Sequence, residues 1–214
     1  MALCLLSDVK TKLGIAQNDT SQDDRLNLLI KSVSAKIESY IGYKLGRGTY
    51  SEELHNVNNT QLIQLNHWPL VSVSSVTVNE GAIDDYKIIP EYARWGRLYR
   101  GDGWTGAFYT RGFTHDIVSG AWDIKVSYTA GYLLPGDTGY QEGADGSLPY
   151  DITIACLDSV ALEYNAENNG SIGLKAHSEG GISDTYGNAS EEIAGGLTAS
   201  VKAALGKYIF YGVA

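Results

Sequence analysis

At 214 residues, with 43% hydrophobic and 19% charged side chains, the chain can form one substantial core or a core with a sizeable insertion, and is too apolar to be disordered. It has no apolar run near the ~20 residues that span a bilayer and no basic n-region leading a long apolar stretch, so neither membrane insertion nor secretion is expected. The formal charge of −9 is uneven: from residue 131 onward eleven acids face three lysines, a surface that repels nucleic-acid phosphates rather than gripping them.

Ser7 as N-cap, Asp8 in the first turn and Gly14 at the end predict a first helix with Leu6, Val9 and Leu13 on its apolar stripe. A second helix begins near Gln22, with Asp23 and Asp24 at its positive end. Leu26, Leu29, Ile30, Val33, Ile37, Tyr40 and Ile41 recur at three- and four-residue steps until Gly42 stops it. From about 48 to 130 the period changes to two. Leu62–Leu65 is a short strand; Val71, Val73, Val76 and Val78 mark a half-exposed strand or hairpin; Asn79-Glu80-Gly81 is a turn. Tyr86–Ile89 and Arg97–Arg100 add strands, and Trp122, Ile124, Val126 and Tyr128 alternate onto one face of another.

The stretch 101–120 combines glycines with Trp104, Phe108, Tyr109 and Phe113. These aromatics either fold back on their own sheet or become ordered against a neighbouring subunit. Residues 131–147 are turn-rich and read as a linker. Pro149 and Asp151 open a third helix through Tyr164, and a last helix runs from about Thr198 to Tyr211 with Val201, Ala204, Leu205, Tyr208 and Ile209 on one side. Cys4 and Cys156 sit in apolar surroundings and read as reduced structural thiols.

No catalytic arrangement emerges. His55, His67, His115 and His177 are dispersed, without HExxH spacing or a nearby cysteine pair. Gly101-Asp-Gly-Trp-Thr-Gly106 lacks the P-loop lysine, and the pairs Asp84-Asp85 and Glu191-Glu192 form no calcium loop. Neither an enzymatic activity nor a cofactor is expected.

Three segments occur in an order that resembles the head-tail connector (adaptor, head-completion) proteins of tailed bacteriophages. The first is the N-terminal helix pair, with Leu13-Gly-Ile15, Asp23-Asp24 and Ile37-Glu-Ser-Tyr-Ile-Gly42. The second is Val126-Ser-Tyr-Thr-Ala-Gly-Tyr132, similar to a sheet-ending V-x-Y-x-x-G-Y, followed by Leu148-Pro-Tyr-Asp-Ile. The third is His177–Tyr186, similar to a Ser-Glu-x-x-Gly-x-x-Ser-x-x-Tyr element but interrupted by Gly180-Gly181 and Thr185.

The resemblance implies an α+β fold with a helical adaptor core, 1–47 and 148–214, joined through the 131–147 linker to an inserted antiparallel β-rich region, 48–130. It implies a cyclic ring, commonly of twelve subunits, between portal and tail at the head-tail junction of the virion, assembled in the bacterial host cytoplasm. Its partners would be further copies of itself, the portal protein and the next neck or tail-completion protein, with DNA passing through the channel without sequence-specific binding. By position, portal attachment falls to Lys202, Lys207, Tyr208, Phe210 and Tyr211. The acidic region would face the channel through Glu163, Glu167, Glu179, Glu191 and Glu192; ordinary solubility is the alternative. Two other readings stand beside this one: a tail-terminator or baseplate component, and a carbohydrate- or host-binding module suggested by Trp95, Trp104, Tyr109 and Trp122.

Overall fold

The spacing of apolar residues in the first 42 positions produces two helices, α1 (Leu6–Leu13) and α2 (Asp23–Ile41). Each ends on a glycine in the left-handed region, Gly14 at φ 71° and Gly42 at φ 88°, where a side chain would be strained. Helix α1 starts two residues earlier than the Ser7 cap predicts. Leu5 is the N-cap and has no side-chain cap; the Ser7 hydroxyl instead donates to Asp8 Oδ1 at 3.3 Å.

The computed structural model describes residues 2–56, 60–78, 81–104, 124–168, 176–179, 182–185 and 197–209. They belong to two units: Met1–Tyr43 with Leu133–Ala214, and Lys44–Tyr132.

In the first unit, α2 buries Leu26, Leu29, Ile30, Val33, Ile37 and Ile41, the stripe its 3.6-residue period prescribes. This face meets a long helix that begins after Pro149 and spans Tyr150–Asn168, which buries Ile152, Ala155, Cys156, Ser159 and Val160. The segment ahead of α1 contributes Leu3 and Cys4, both essentially inaccessible. Lys10 is 3% exposed, and its ammonium answers three acceptors: Asp23 Oδ1 at 2.5 Å and the carbonyls of Asp19 and Gln17 at 2.8 and 3.3 Å. One buried cation thereby holds the connection between α1 and α2. Residues 133–148 pack in this unit through Leu134 and Leu148, with Leu133 bridged to Ser147.

The second unit is built on strands. β1 (Gly48–His55), β3 (Leu70–Val78), β4 (Gly81–Ala82) and β7 (Ile124–Ala130) form an antiparallel sheet in the order β1-β7-β3-β4. β2 (Leu62–Gln64), β5 (Tyr86–Lys87) and β6 (Arg97–Arg100) form a second, in the order β2-β6-β5, and the one-turn helix α3 (Pro90–Ala93) precedes β6. The long helix of the first unit is accordingly α4. Central strand β7 alternates as its sequence demands: Ile124, Val126, Tyr128 and Ala130 are wholly buried, and Lys125 between them is exposed. Strand β3 does not alternate. Register shifts between Leu70 and Ser72 and between Val73 and Ser75 leave Val71 41% exposed, while Val76 and Val78 reach the core.

The V-x-Y-x-x-G-Y segment acquires a physical reason here. Gly131 has φ 99°, and a Cβ on it would lie 2.5 Å from the Gly46 carbonyl oxygen. Only glycine lets the strand exit so close to that backbone, where Tyr132 N donates to Leu45 O and Arg47 N to Tyr132 O, both at 2.8 Å. Further on, β8 (Ala176–Glu179) pairs antiparallel with β9 (Ile182–Thr185), Glu179 opposite Ile182. The last helix, α5, covers Ala199–Leu205 and tightens into a 3-10 turn at Gly206–Tyr208. It is shorter than predicted: the chain is already extended at Ile209, and Phe210 and Tyr211 lie outside the described residues. The architecture is α+β, with the antiparallel sheets carried between two helical segments.

Candidate interaction surface

Helix α5 is started by Thr198, whose Oγ1 accepts from Val201 N at 3.3 Å, and it anchors through Val201 and Leu205. That burial turns the following residues toward the first turn of α4. There Lys207 Nζ pairs with Asp151 Oδ2, and Tyr208 OH donates to Asp151 Oδ1, each at 2.6 Å. Burial alone would raise the Asp151 carboxyl; the hydrogen bonds from Lys207 and Tyr208 and the charge of Lys207 outweigh it and hold the group below the usual carboxylate range. Lys207 remains largely exposed and lies 5.2 Å from the centre of the Tyr208 ring. An open cavity of about 540 Å³ in the same unit is lined by Ser32, Ala35, Lys36, Ser39 and Tyr40 of α2 with Leu197 and Lys202. The Tyr40 hydroxyl donates to Lys202 O across one end, at 3.4 Å.

The second unit holds a polar cluster of different character. A bulge between Tyr50 and Glu53, with Glu52 at φ 52°, turns Glu53 inward and leaves Leu54 44% exposed. Glu53 then accepts from Tyr128 OH at 2.6 Å and Asn66 N at 2.9 Å, and pairs with His55 Nε2 at 2.7 Å. His67 completes the cluster, stacked on Tyr50 at 3.6 Å, with Nδ1 at 3.1 Å from Tyr128 OH and 3.4 Å from Glu53. Burial opposes ionisation of Glu53, yet the bonds from His55, Tyr128 and Asn66 bring its pKa down to about 2. Burial and the adjacent carboxylate push Tyr128 upward. A carboxylate so fully answered is a poor proton acceptor near neutrality. The arrangement pins β1 to β7 and does not resemble a general-base site. Among the described residues, no group of three or more His, Cys, Asp or Glu is placed to hold a metal ion.

The family model for head completion proteins matches residues 2–186, most of the chain. The protein belongs to the head completion protein family. Sequence comparison with curated proteins finds no match. Among solved structures, a chain in the neck of an empty gene transfer agent particle, computed with C6 symmetry, is similar at TM-score 0.54 and 14% identity, covering 99% of this chain and 92% of that one. A chain in the neck of the native particle, computed with C12 symmetry, gives 0.50 at 15% identity over 98% and 90%. One in the virion of the native gene transfer agent particle gives 0.51 at 14% over 99% and 92%. At such identities the likeness establishes the shared fold.

On this head completion fold the residues singled out from sequence fall into distinct places. Lys202, Lys207 and Tyr208 lie together on and after α5. Glu163 and Glu167, on α4, are each in an ion pair, with Lys36 at 2.6 Å and Arg25 at 2.8 Å. Glu179 lies in β8, and Glu191 and Glu192 lie outside the described residues. Trp104 requires a correction. It is wholly buried in the core of the second unit, with Nε1 donating to Leu98 O at 3.2 Å, so it is no surface contact for a neighbour or a glycan. A single apolar ring beside β6 meets its own core sooner than a partner. Phe108, Tyr109, Phe113 and Trp122 lie outside the described residues, and Trp95 is covered by the Arg94 guanidinium at 5.1 Å. Sequence reasoning missed Lys10, Asp151 as the receiver of the C-terminal turn, and the Glu53 cluster. Only Asp151 carried a signal, as the acid in the first turn of a Pro-initiated helix.

Proposed function

We propose that the protein is a structural neck component that closes into a ring between portal and tail, extends the DNA channel after packaging and offers a docking surface to the next neck or tail-completion protein. The observation that carries this reading is the family match over residues 2–186, supported by a fold shared along 99% of the chain with a neck protein of a gene transfer agent particle. A ring, commonly of twelve copies, satisfies identical surfaces without leaving adhesive ends. Assembly would take place in the bacterial host cytoplasm, and the finished ring would sit at the head-tail junction of the virion.

Portal attachment is assigned to the segment from Lys202 through Tyr211. Lys207 supplies an exposed cation, and Asp151 fixes the direction in which the chain leaves Tyr208. The channel wall is assigned to the acidic region between 137 and 192. Because Glu163 and Glu167 are neutralised by Lys36 and Arg25, repulsion of DNA would rest on the solvent-exposed Asp137, Glu142 and Asp145 together with Glu179, Glu191 and Glu192. Screening over about 8–10 Å makes only acids close to the lumen effective.

Electron microscopy of purified portal rings mixed with the chain tests the assignment. Added density forming a closed ring on one portal face is expected. Bare portals, under conditions where an authentic adaptor binds, would overturn it. A map placing the acidic region on the outer rim would overturn the channel-wall assignment alone.

A further inference from the structure

Cys4 and Cys156 are separated by 152 positions in sequence, yet their sulfurs lie 3.4 Å apart in the first unit. Both side chains are buried. A third polar group joins them: Ser34 Oγ of α2 lies 3.8 Å from Cys156 Sγ and accepts from Leu3 N at 3.1 Å. The N-terminal segment, α2 and α4 therefore converge on one pair of thiols. Nothing in the neck role uses them.

We propose that Cys4 and Cys156 are a latent disulfide, a modification site at which a hydroperoxide-class oxidant joins the N-terminal segment covalently to α4. The geometry favours closure. A disulfide bond is about 2.05 Å long, so the sulfurs must approach by little more than an ångström. Cys156 is fixed in the middle of α4, but Cys4 precedes α1 outside any helix, and its backbone can supply the movement. Both thiols are closed off in the folded unit, so a small oxidant reaches them through local opening.

The electrostatics assign the order of events. Either thiol can donate to the other across 3.4 Å; with Cys4 as the donor, it and the Ser34 hydroxyl hold Cys156 below the usual thiol range despite burial. Its role as donor and its burial push Cys4 upward. With Cys4 donating, Cys156 is the nucleophile. Its thiolate attacks one oxygen of the hydroperoxide, the O–O bond breaks, and hydroxide or alkoxide leaves, giving Cys156 sulfenic acid. The Cys4 sulfur then attacks the Cys156 sulfur, the S–O bond breaks and the thiol proton leaves with hydroxide as water. Two thiols lose two electrons in total, and the peroxide takes both.

Hydrogen peroxide is the probe. The folded chain, treated with peroxide, quenched and digested without reductant, is expected to yield a peptide linking Cys4 to Cys156 and an intact mass lower by two hydrogen atoms. Both changes should reverse with a thiol reductant. The crosslink should raise the midpoint of the helical melt by on the order of 5–10 °C. With Cys4→Ser, which keeps a hydroxyl donor, oxidation should stop at Cys156 and be trapped there by a sulfenic-acid reagent. With Cys156→Ser, Cys4 should stay reduced over the same period. The wild-type peptide map decides the matter even where a variant folds poorly. Two intact thiols after a peroxide dose that oxidises an unfolded control, or crosslinking between chains instead of within one, would overturn the proposal.

Discussion

Replacing Glu53 by Gln tests how much of the second unit depends on one ionised carboxylate. In the folded chain its pKa is depressed to about 2 from an ordinary 4.5. At 1.36 kcal/mol per unit, that difference corresponds to about 3 kcal/mol favouring the ionised, folded form. A depressed acid contributes fully above its unfolded pKa, and the contribution fades as pH falls from near 5 towards 2. The groups facing the carboxylate are His55, His67, Tyr128, Tyr50 and the Asn66 amide. A glutamine places an amide donor where at least one of these already donates. At pH 6 the variant should be less stable than wild type by about 3 kcal/mol, and between pH 6 and pH 3 the gap should narrow by about 2 kcal/mol. Urea unfolding followed by tryptophan fluorescence isolates the effect, since Trp68, Trp95, Trp104 and Trp122 all belong to the 44–132 unit. A gap that stays constant across this range would refute the ionised-cluster argument, because shape alone would then account for the loss.

Other consequences concern different parts of the chain. Lys10→Met should destabilise the helical unit by about 3 kcal/mol in urea melts followed by circular dichroism, because it strands Asp23 and two carbonyls without their buried cation. Gly131→Ala should abolish cooperative unfolding of the second unit, as its Cβ would meet the Gly46 backbone at 2.5 Å from a left-handed φ. Asp151→Asn, or truncation after Gly206, should weaken pull-down by portal rings at least tenfold while leaving the far-ultraviolet spectrum folded; unchanged binding by folded variants would remove the C-terminal turn from the interface. In a double-mutant cycle, Lys36→Met and Glu163→Gln should couple by about 1 kcal/mol, weakening with added salt, since the pair is only partly buried.

The elements that could be read from sequence are those in which one periodicity runs unbroken. Helix α2 presents six large aliphatic residues at helical steps, and β7 presents four inward residues at alternate positions, so in both the pattern and the burial coincide. Reading failed where the backbone changes register. The bulges in β3 expose Val71, and the bulge in β1, a strand the sequence does not mark, sends Leu54 outward and Glu53 inward. A bulge leaves little local signature in composition, and its consequence depends on the partner strand. The same holds for His55 and His67: they were read as isolated because the sheet, and not any local spacing, brings them to Glu53. The short last helix was over-extended for a related reason. Its predicted apolar side ran through Tyr208, whose hydroxyl is instead held by Asp151 some 57 positions earlier.

The uneven charge along the chain takes on a different meaning once the pairs are known. Among the described residues, Asp151, Asp158, Glu163 and Glu167, all on α4, are in ion pairs. Three of their partners, Lys12, Lys36 and Arg25, come from the first fifty residues, where bases outnumber acids. The basic N-terminal stretch and the acidic α4 are thus two sides of one helical packing, and the charge of α4 itself is largely cancelled where α1 and α2 meet it. Exposed pairs add little stability individually, but opposite charges along facing helices disfavour a shifted register, in which like charges would meet. A channel wall must then draw its repulsion from acids outside α4. Under the proposed role, that repulsion would fall to acids such as those in the exposed turns containing Asp137, Glu142 and Asp145 and not to Glu163 or Glu167.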